Sequence, residues 1–331
     1  VKQMRTIRGT PVWVWLLLVA AVFGVSSAGA LFQQVDEVPP LLRASWRLQL
    51  TSLILAPMAV VQWIVHRDEI SDRLMERNTI FWIFAGGIFL ALHFGAWVAS
   101  LDETSLTHSL LFVTAHPLII VVGMALVAKL MKNYRKPSKL EIIGACIGFT
   151  GAALALIDYG DQQGDRTVTI WGDFLAFLGA MFVVGYIVSG RILRKWMPIF
   201  IYAFPVTLIG ALLLIPASYA IEPDYHKFGV LGWVEGEYFR WFLALALIAG
   251  LLGHTGLNTC LRYMPPLVVS TSVTLEPIIG SIIGHLLFNT GLPGFWTWIG
   301  GPILIVGIIL VVVSSSEADT NNETSEVAVD V

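Results

Sequence analysis

Ser109 to Leu130 reads SLLFVTAHPLIIVVGMALVAKL, an apolar run in which only Ser109, Thr114, His116 and Lys129 carry polar side chains. A helix needs about 20 mostly apolar residues to cross a bilayer, and this run supplies them. Working outward, the same criterion predicts helices near 11–32, 41–65, 79–100, 105–130, 138–157, 168–193, 198–221, 239–262, 265–289 and 294–314. The connections are short, and the longest break, near 222–238, is polar and contains glycine. The composition agrees: of 331 residues 56% are hydrophobic and 13% charged, with a mean hydropathy of +0.76. A soluble domain carries roughly 25% charged residues, so this chain has too little polar surface to cover such a core in water. The expected fold class is therefore an all-α integral membrane protein with ten transmembrane helices.

Twelve tryptophans suit the bilayer interface. The net charge of −3 comes with no basic run long enough for nucleic acid, so the expected partners are membrane lipids and a small molecule. Cys146 and Cys260 both fall within apolar helices and read as small packing residues with no disulfide framework.

Lys and Arg set the orientation. On the N-terminal side lie 15 of the 20: Lys2, Arg5, Arg8, Arg67, Arg73, Arg77, Lys129, Lys132, Arg135, Lys136, Lys139, Arg191, Arg194, Lys195 and Arg262. The opposite side has Arg43, Arg47, Arg166, Lys227 and Arg240. Both termini are expected in the cytoplasm, with the chain in a plasma or inner membrane. Lys2, Arg5 and Arg8 ahead of an apolar run and SSAGA can also be read as a secretory signal. The length of the run from Pro11 to Phe32 favours a spanning helix. The acidic stretch 317–331 lacks aromatics and reads as a disordered tail.

The chain also resembles itself. A shift of 159 superimposes Pro39 on Pro198, Pro57 on Pro216, Ala21 on Ala180 and Phe23 on Phe182. A shift of 161 puts HFGAW from His93 on HTGLN from His254, and a shift of 160 puts His116-Pro117 on Glu276-Pro277. A shift of 156 puts Pro137, Gly144 and Gly151 on Pro293, Gly300 and Gly307. Two five-helix units follow, 1–158 and 165–316. Five is odd, so the second unit enters the membrane from the opposite side, as an inverted repeat. Alternating access is the common use of that symmetry, because two similar units of opposite orientation can give two conformations of comparable energy.

The blocks Ser109–Gly151 and Pro266–Gly307 resemble the paired EamA repeats of the drug/metabolite transporter superfamily, and the similarity covers essentially all ten helices. Its most specific piece is Leu275-Glu276-Pro277, followed by a Gly-rich last helix. The resemblance implies a ten-helix fold, a central cavity, and export or exchange of small organic solutes, with no cofactor. Family members often carry an acidic residue about twelve positions after the motif proline, where this chain has Lys129 and Asn289.

Ionisable groups within a membrane are costly and mark pathways or proton sites. Glu276 is expected mid-helix, flanked by Ser270, Thr271, Ser272 and Thr274, as a titratable carboxylate or as a cap for backbone freed by Pro277. His116 occupies the repeat-equivalent place, as a proton partner or a packing histidine. Arg43 and Arg47 share one face of the second helix. Arg43, nearer the rim, is expected to snorkel to headgroups. Arg47, deeper, is the best sequence hint of an anionic or zwitterionic solute such as an amino acid or organic acid. His93 and Trp97, with repeat counterparts His254 and Asn258, suit a cavity wall or a packed core. Tyr186, Tyr202, Ser26 and Ser27 are weaker candidates by the same logic. Gly144-x-x-x-Gly148 is expected to serve a contact inside the bundle.

An intramembrane enzyme would need a metal helix, nucleophile elbow or P-loop, and none is present; Asp102 and Asp158 lie at helix ends. A metal-ion carrier could draw on His93, His108, His116, His254 and Glu276. A non-transporting receptor or scaffold is the third alternative, though short loops leave it little surface. The reading taken forward is a secondary active transporter of a small organic metabolite, with a proton as the candidate coupled ion.

Overall fold

The structure is a computed structural model that describes residues 6–7, 10–130, 136–158, 160–163, 166–260, 262–264, 269 and 272–329. It is helical throughout apart from two two-residue hairpins, Thr6–Ile7 with Thr10–Pro11 and Gln162–Gln163 with Arg166–Thr167. The helices are α1 (Val12–Ser26), α2 (Ala28–Phe32), α3 (Pro40–Leu74), α4 (Arg77–Glu103), α5 (Leu106–Val113), α6 (His116–Leu130) and α7 (Lys139–Ala155). There follow α8 (Ile170–Leu193), α9 (Ile199–Ile221), the short α10 (Tyr225–Phe228), and α11 (Gly236–Ala244), which runs through a π-helical stretch Leu245–Thr255 into α12 (Gly256–Cys260). The last two are α13 (Glu276–Phe288) and α14 (Phe295–Val329). Among the described residues eight helical runs are long and apolar enough to cross a membrane, and two shorter apolar helices are Glu276–Phe288 and Phe295–Val311. Large apolar side chains such as Leu16, Val61, Phe81, Leu130, Ile221 and Leu286 are exposed around the bundle, where a soluble protein would carry charge. The protein is a multi-pass integral membrane protein.

Local sequence explains where the helices begin. Pro40 sits in the first turn of α3, where its fixed φ and missing N–H cost nothing. Ser138 and Glu141 form a reciprocal capping box on α7, and the Thr169 hydroxyl accepts the Gly172 N–H at the start of α8. After Gly307 no glycine or proline interrupts α14, which runs as helix to Val329 through the stretch read from sequence as a disordered tail.

Three expectations are corrected. The span predicted over 105–130 is present as Leu106–Leu130, but its helix is interrupted at Thr114–Ala115, directly before His116-Pro117. The span over 265–289 is likewise broken at Thr274–Leu275, directly before Glu276-Pro277. Proline lacks the N–H and its ring crowds the preceding turn, so each helix restarts there. Glu276 therefore opens a helix rather than sitting in the middle of one. Ser270 and Thr271, expected beside it, lie outside the described residues. The third correction concerns the second helix, which outruns its expected end near 65 and continues to Leu74 through a polar last turn.

The helix junctions gather at two ends. At the end where α7 begins, the Ser138 and Ser314 hydroxyls bond at 2.6 Å and Phe200 N donates to Gln62 Oε1 at 2.8 Å. At the distal end Leu41 N donates to Glu222 Oε1 at 2.6 Å, and Trp296 N donates to Asp158 Oδ1 at 3.1 Å. Between the ends α4 packs on α8 and α1 on the π-helical stretch. Similarly α5 packs on α8 and α13 on α1, while α4 packs on α9 and α3 on the π-helical stretch. Two further pairings, α3 with α9 and α7 with α14, complete the frame. The α7–α14 contact explains the glycine spacing. A side chain at Gly144 would meet the backbone of Gly307 and Val311, and one at Gly151 that of Gly300 and Leu304. As expected, Gly144 and Gly148 serve an internal helix contact.

Candidate functional site

Arg47 is the residue around which the polar interior is arranged. It is 1% exposed, and among the described residues its Nε and Nη1 have no hydrogen-bond partner. The guanidinium lies over the Phe94 ring at 4.2 Å and within 5.6 Å of the Phe32 ring. Taking a charge out of water costs several kcal/mol after relaxation, whereas a desolvated cation–π contact returns about 2 kcal/mol. The balance is unfavourable without an anion. Glu276 is within electrostatic reach but makes no salt bridge to Arg47.

Arg47, Phe94, Tyr186, His254, Thr255 and Asn258 line one narrow cavity of about 20 Å³ in the bundle interior. One water needs roughly 10–15 Å³ by this measure, so the cavity holds about one or two waters and no metabolite. Asn258 Nδ2 donates to the His254 carbonyl at 2.9 Å and to Tyr186 Oη at 3.2 Å, which ties α12 to α8 across the cavity. Tyr186 in turn stacks on buried Tyr202, with ring centroids 6.4 Å apart. His254 sits at the end of the π-helical stretch, where the widened turn is spanned by Thr255 Oγ1 donating to Gly250 O at 3.2 Å.

His93 and Trp97 stand behind Phe94 and do not line the cavity. Their rings stack at 6.1 Å and 11°, and His93 Nδ1 donates to the Gly179 carbonyl at 2.9 Å, leaving Nε2 as the other nitrogen of a fixed tautomer. Trp97 Nε1 is buried with no hydrogen-bond partner among the described residues. His254 also meets Phe94, edge to face at 5.6 Å, so one aromatic cluster joins the repeat-related histidines.

Glu276 and His116 are both buried at the restarted ends of α13 and α6. A carboxylate in the first turn is favoured by the helix dipole, whereas an imidazolium there is disfavoured. His116 is 9% exposed in the first turn of α6. Ser272 has a bonded partner and is half-buried just ahead of the break. Ser26 and Ser27 spend their hydroxyls on carbonyls of their own helix, at 2.7 and 2.8 Å, and have no evident link to the cavity.

Arg43 does not snorkel. It is fully buried, donates Nη1 to the Phe32 carbonyl at 3.2 Å, and pairs through Nη2 with Asp102, which Arg166 also approaches at 3.8 Å. The reason is a partner 59 residues away that helix periodicity cannot reveal. Phe32, Thr51 and Thr207 also border Arg47 or its cavity and were not singled out from sequence. Phe94 lies inside the quoted HFGAW segment, which was its one signal. Among the described residues no three His, Cys, Asp or Glu side chains converge as a metal would require.

Residues 170–313 match the EamA-like transporter family, so the resemblance read from sequence is borne out over that span. No curated protein matches the chain. A solved structure whose title reads only "Crystal structure of protein" aligns with 93% of this chain and 99% of its own, at a TM-score of 0.59 and 17% identity. At that identity the likeness speaks for the fold alone.

Proposed function

We propose that the protein is a secondary active transporter that moves a small organic anion or zwitterion by alternating access between two inverted five-helix units, 1–158 and 165–316. The observation that carries the substrate class is the buried Arg47 guanidinium on a cavity wall, with Nε and Nη1 unbonded among the described residues. A carboxylate or phosphate entering there would form charge-assisted, bidentate hydrogen bonds that no described residue supplies. Thr51, Thr207, Thr255 and Asn258 would bond the solute's polar groups, and Phe94 and Tyr186 would cover its apolar part.

The inverted repeat is supported by interactions that exchange when the units are swapped. The α4–α8 contact maps onto α1 with the π-helical stretch, α5–α8 onto α13–α1, and α4–α9 onto α3 with that stretch. The α3–α9 and α7–α14 pairs map onto themselves. The caps exchange too. Glu222 near the end of α9 takes the N–H of Leu41 in α3, and Gln62 in α3 takes that of Phe200 in α9, where Leu41 and Phe200 are related by the 159 shift. Both helix breaks fall 160 residues apart. Counting α13 and α14 as spans gives ten helices, and the Lys/Arg excess then puts the end where α7 begins in the cytoplasm.

Opening the cavity means parting the units around Arg47, with Glu276 at the start of α13 as the coupling carboxylate. The test is a thermal-stability screen of the purified protein against mono- and dicarboxylates, amino acids and phosphates at about pH 5.5 and about pH 7.5. A ligand at about 100 times its Kd adds roughly 2.7 kcal/mol to the native state. Stabilisation by anions is the expected result. Stabilisation by cationic or neutral solutes alone would overturn the substrate class.

A further inference from the structure

At the distal end, away from Arg47, five buried side chains form one hydrogen-bonded line across the ends of five helices. Thr297 Oγ1 in α14 lies 2.7 Å from Asp158 Oδ2, just past the end of α7, and 2.7 Å from His108 Nε2 in α5. His108 Nδ1 lies 3.0 Å from Asp173 Oδ2 in α8, and Asp173 Oδ1 accepts Thr104 Oγ1, just past α4, at 2.9 Å. None of the five is more than 4% exposed. Asp158 also accepts the amides of Trp296 and Thr297, at 3.1 and 2.7 Å, at the start of α14.

Hydrogen counting along this line is restrictive. The Thr297 hydroxyl has one proton. If that proton points to Asp158, only lone pairs face His108, so Nε2 must carry a hydrogen. Nδ1, facing a carboxylate, must carry one as well. The imidazole is then doubly protonated. The other consistent arrangements move one proton from Nε2 through the hydroxyl to Asp158, or from Nδ1 to Asp173, leaving the total unchanged. A neutral histidine between two ionised carboxylates supplies, with the Thr297 hydroxyl, two hydrogens for three contacts, so one of Nδ1–Asp173, Nε2–Thr297 and Thr297–Asp158 has none. The geometry therefore requires one proton beyond that neutral set.

We propose that the Asp158–Thr297–His108–Asp173 line is a proton-binding site that clasps the distal ends of α5, α7, α8 and α14 shut, and that losing its proton releases them. With the proton gone, one of the three contacts has no hydrogen, and the α5–α8, the α5–α14 or the α7–α14 connection opens. Other charges on the elements packed against α5 are already placed. Asp102 of α4 is committed to Arg43 and Arg166, while the neighbouring Glu103 gives its carbonyl to Thr169. Glu276 and His285 lie at the two ends of α13, Lys139 and Glu141 at the far end of α7, and Arg191 at the far end of α8, while α2 carries no charge. The proposal is independent of the Arg47 site and needs no identified solute.

The test is pH-dependent access to the distal end in the full-length protein. Cys146 and Cys260 are replaced by alanine, and Thr290, half-buried beside a distal polar cavity, is replaced by cysteine. Its labelling by a charged maleimide is followed between about pH 6 and about pH 9, normalised to Met75→Cys at an exposed site on the other end. Wild-type labelling should rise at least about tenfold with pH, the scale of losing one charge-assisted hydrogen bond. Thr297→Val and His108→Gln should label fast and without that pH dependence. A flat wild-type profile, or a Thr297→Val variant that keeps the wild-type profile, would overturn the clasp. A merely structural contact would change the rate and leave the pH profile in place.

Discussion

Replacing Arg47 with methionine should loosen the solute and leave the ligand-free protein intact or firmer. In the ligand-free state the guanidinium is buried with Nε and Nη1 unbonded and Phe94 at 4.2 Å. Exchanging a buried charge for an apolar side chain of similar volume is neutral or stabilising by about 1–4 kcal/mol. The lost cation–π contact takes back about 2 kcal/mol. The net change lies between about −2 and +2 kcal/mol. With an anion bound, removing its buried partner costs about 3–5 kcal/mol, or roughly two to four decades in Kd. Thermal unfolding of wild type and Arg47→Met, with and without a stabilising carboxylate, reads both numbers. A variant destabilised by more than about 3 kcal/mol without ligand would mean that the guanidinium is already paired. A variant that still binds the anion like wild type would remove Arg47 from the site.

Glu276→Gln should fold normally and lose any dependence of transport on a pH gradient; an unchanged gradient response would take the coupling role from this carboxylate. Gly151→Leu should destabilise by at least about 1–3 kcal/mol, since the new side chain meets the backbone of Gly300 and Leu304. Gly123→Ala, with nothing within 4 Å, should be neutral or gain up to about 1 kcal/mol, and Tm measurements distinguish the two. Arg43→Met should cost about 2–3 kcal/mol, less than for a fully buried pair because Asp102 is 21% exposed. Adding Asp102→Asn should restore part of that loss, and a double-mutant cycle with no coupling would contradict the pair.

What could be read in the sequence is what depends on local composition and spacing. Length and apolarity place most helix ends within a few residues, the C-terminal ends of α3 and α14 excepted, and the Gly144/Gly151 and Gly300/Gly307 spacing anticipates a packed internal contact. Proline positions flagged His116-Pro117 and Glu276-Pro277, but whether a proline kinks a helix or restarts it depends on what else can satisfy the freed backbone. The long-range pairs were illegible. Nothing near Arg43 announces Asp102, and nothing near His108 announces Asp173 or Thr297, which come from the other half of the chain. Two arginines one turn apart thus took different roles, one committed to an ion pair and one left with unbonded nitrogens, by differences of tertiary placement. The π-helical turn at Leu245–Thr255 was likewise hidden, because its glycines read equally well as ordinary close-packing residues.

The central claim is solute movement by alternating access, and counterflow in proteoliposomes tests it most directly. Vesicles loaded with an anion that stabilises the purified protein are diluted into a trace of the same labelled anion. Saturable uptake, accelerated by unlabelled anion inside and strongly reduced in Arg47→Met, is the predicted result. Uptake that is linear in concentration, indifferent to the internal anion, or equal in the variant would contradict the account.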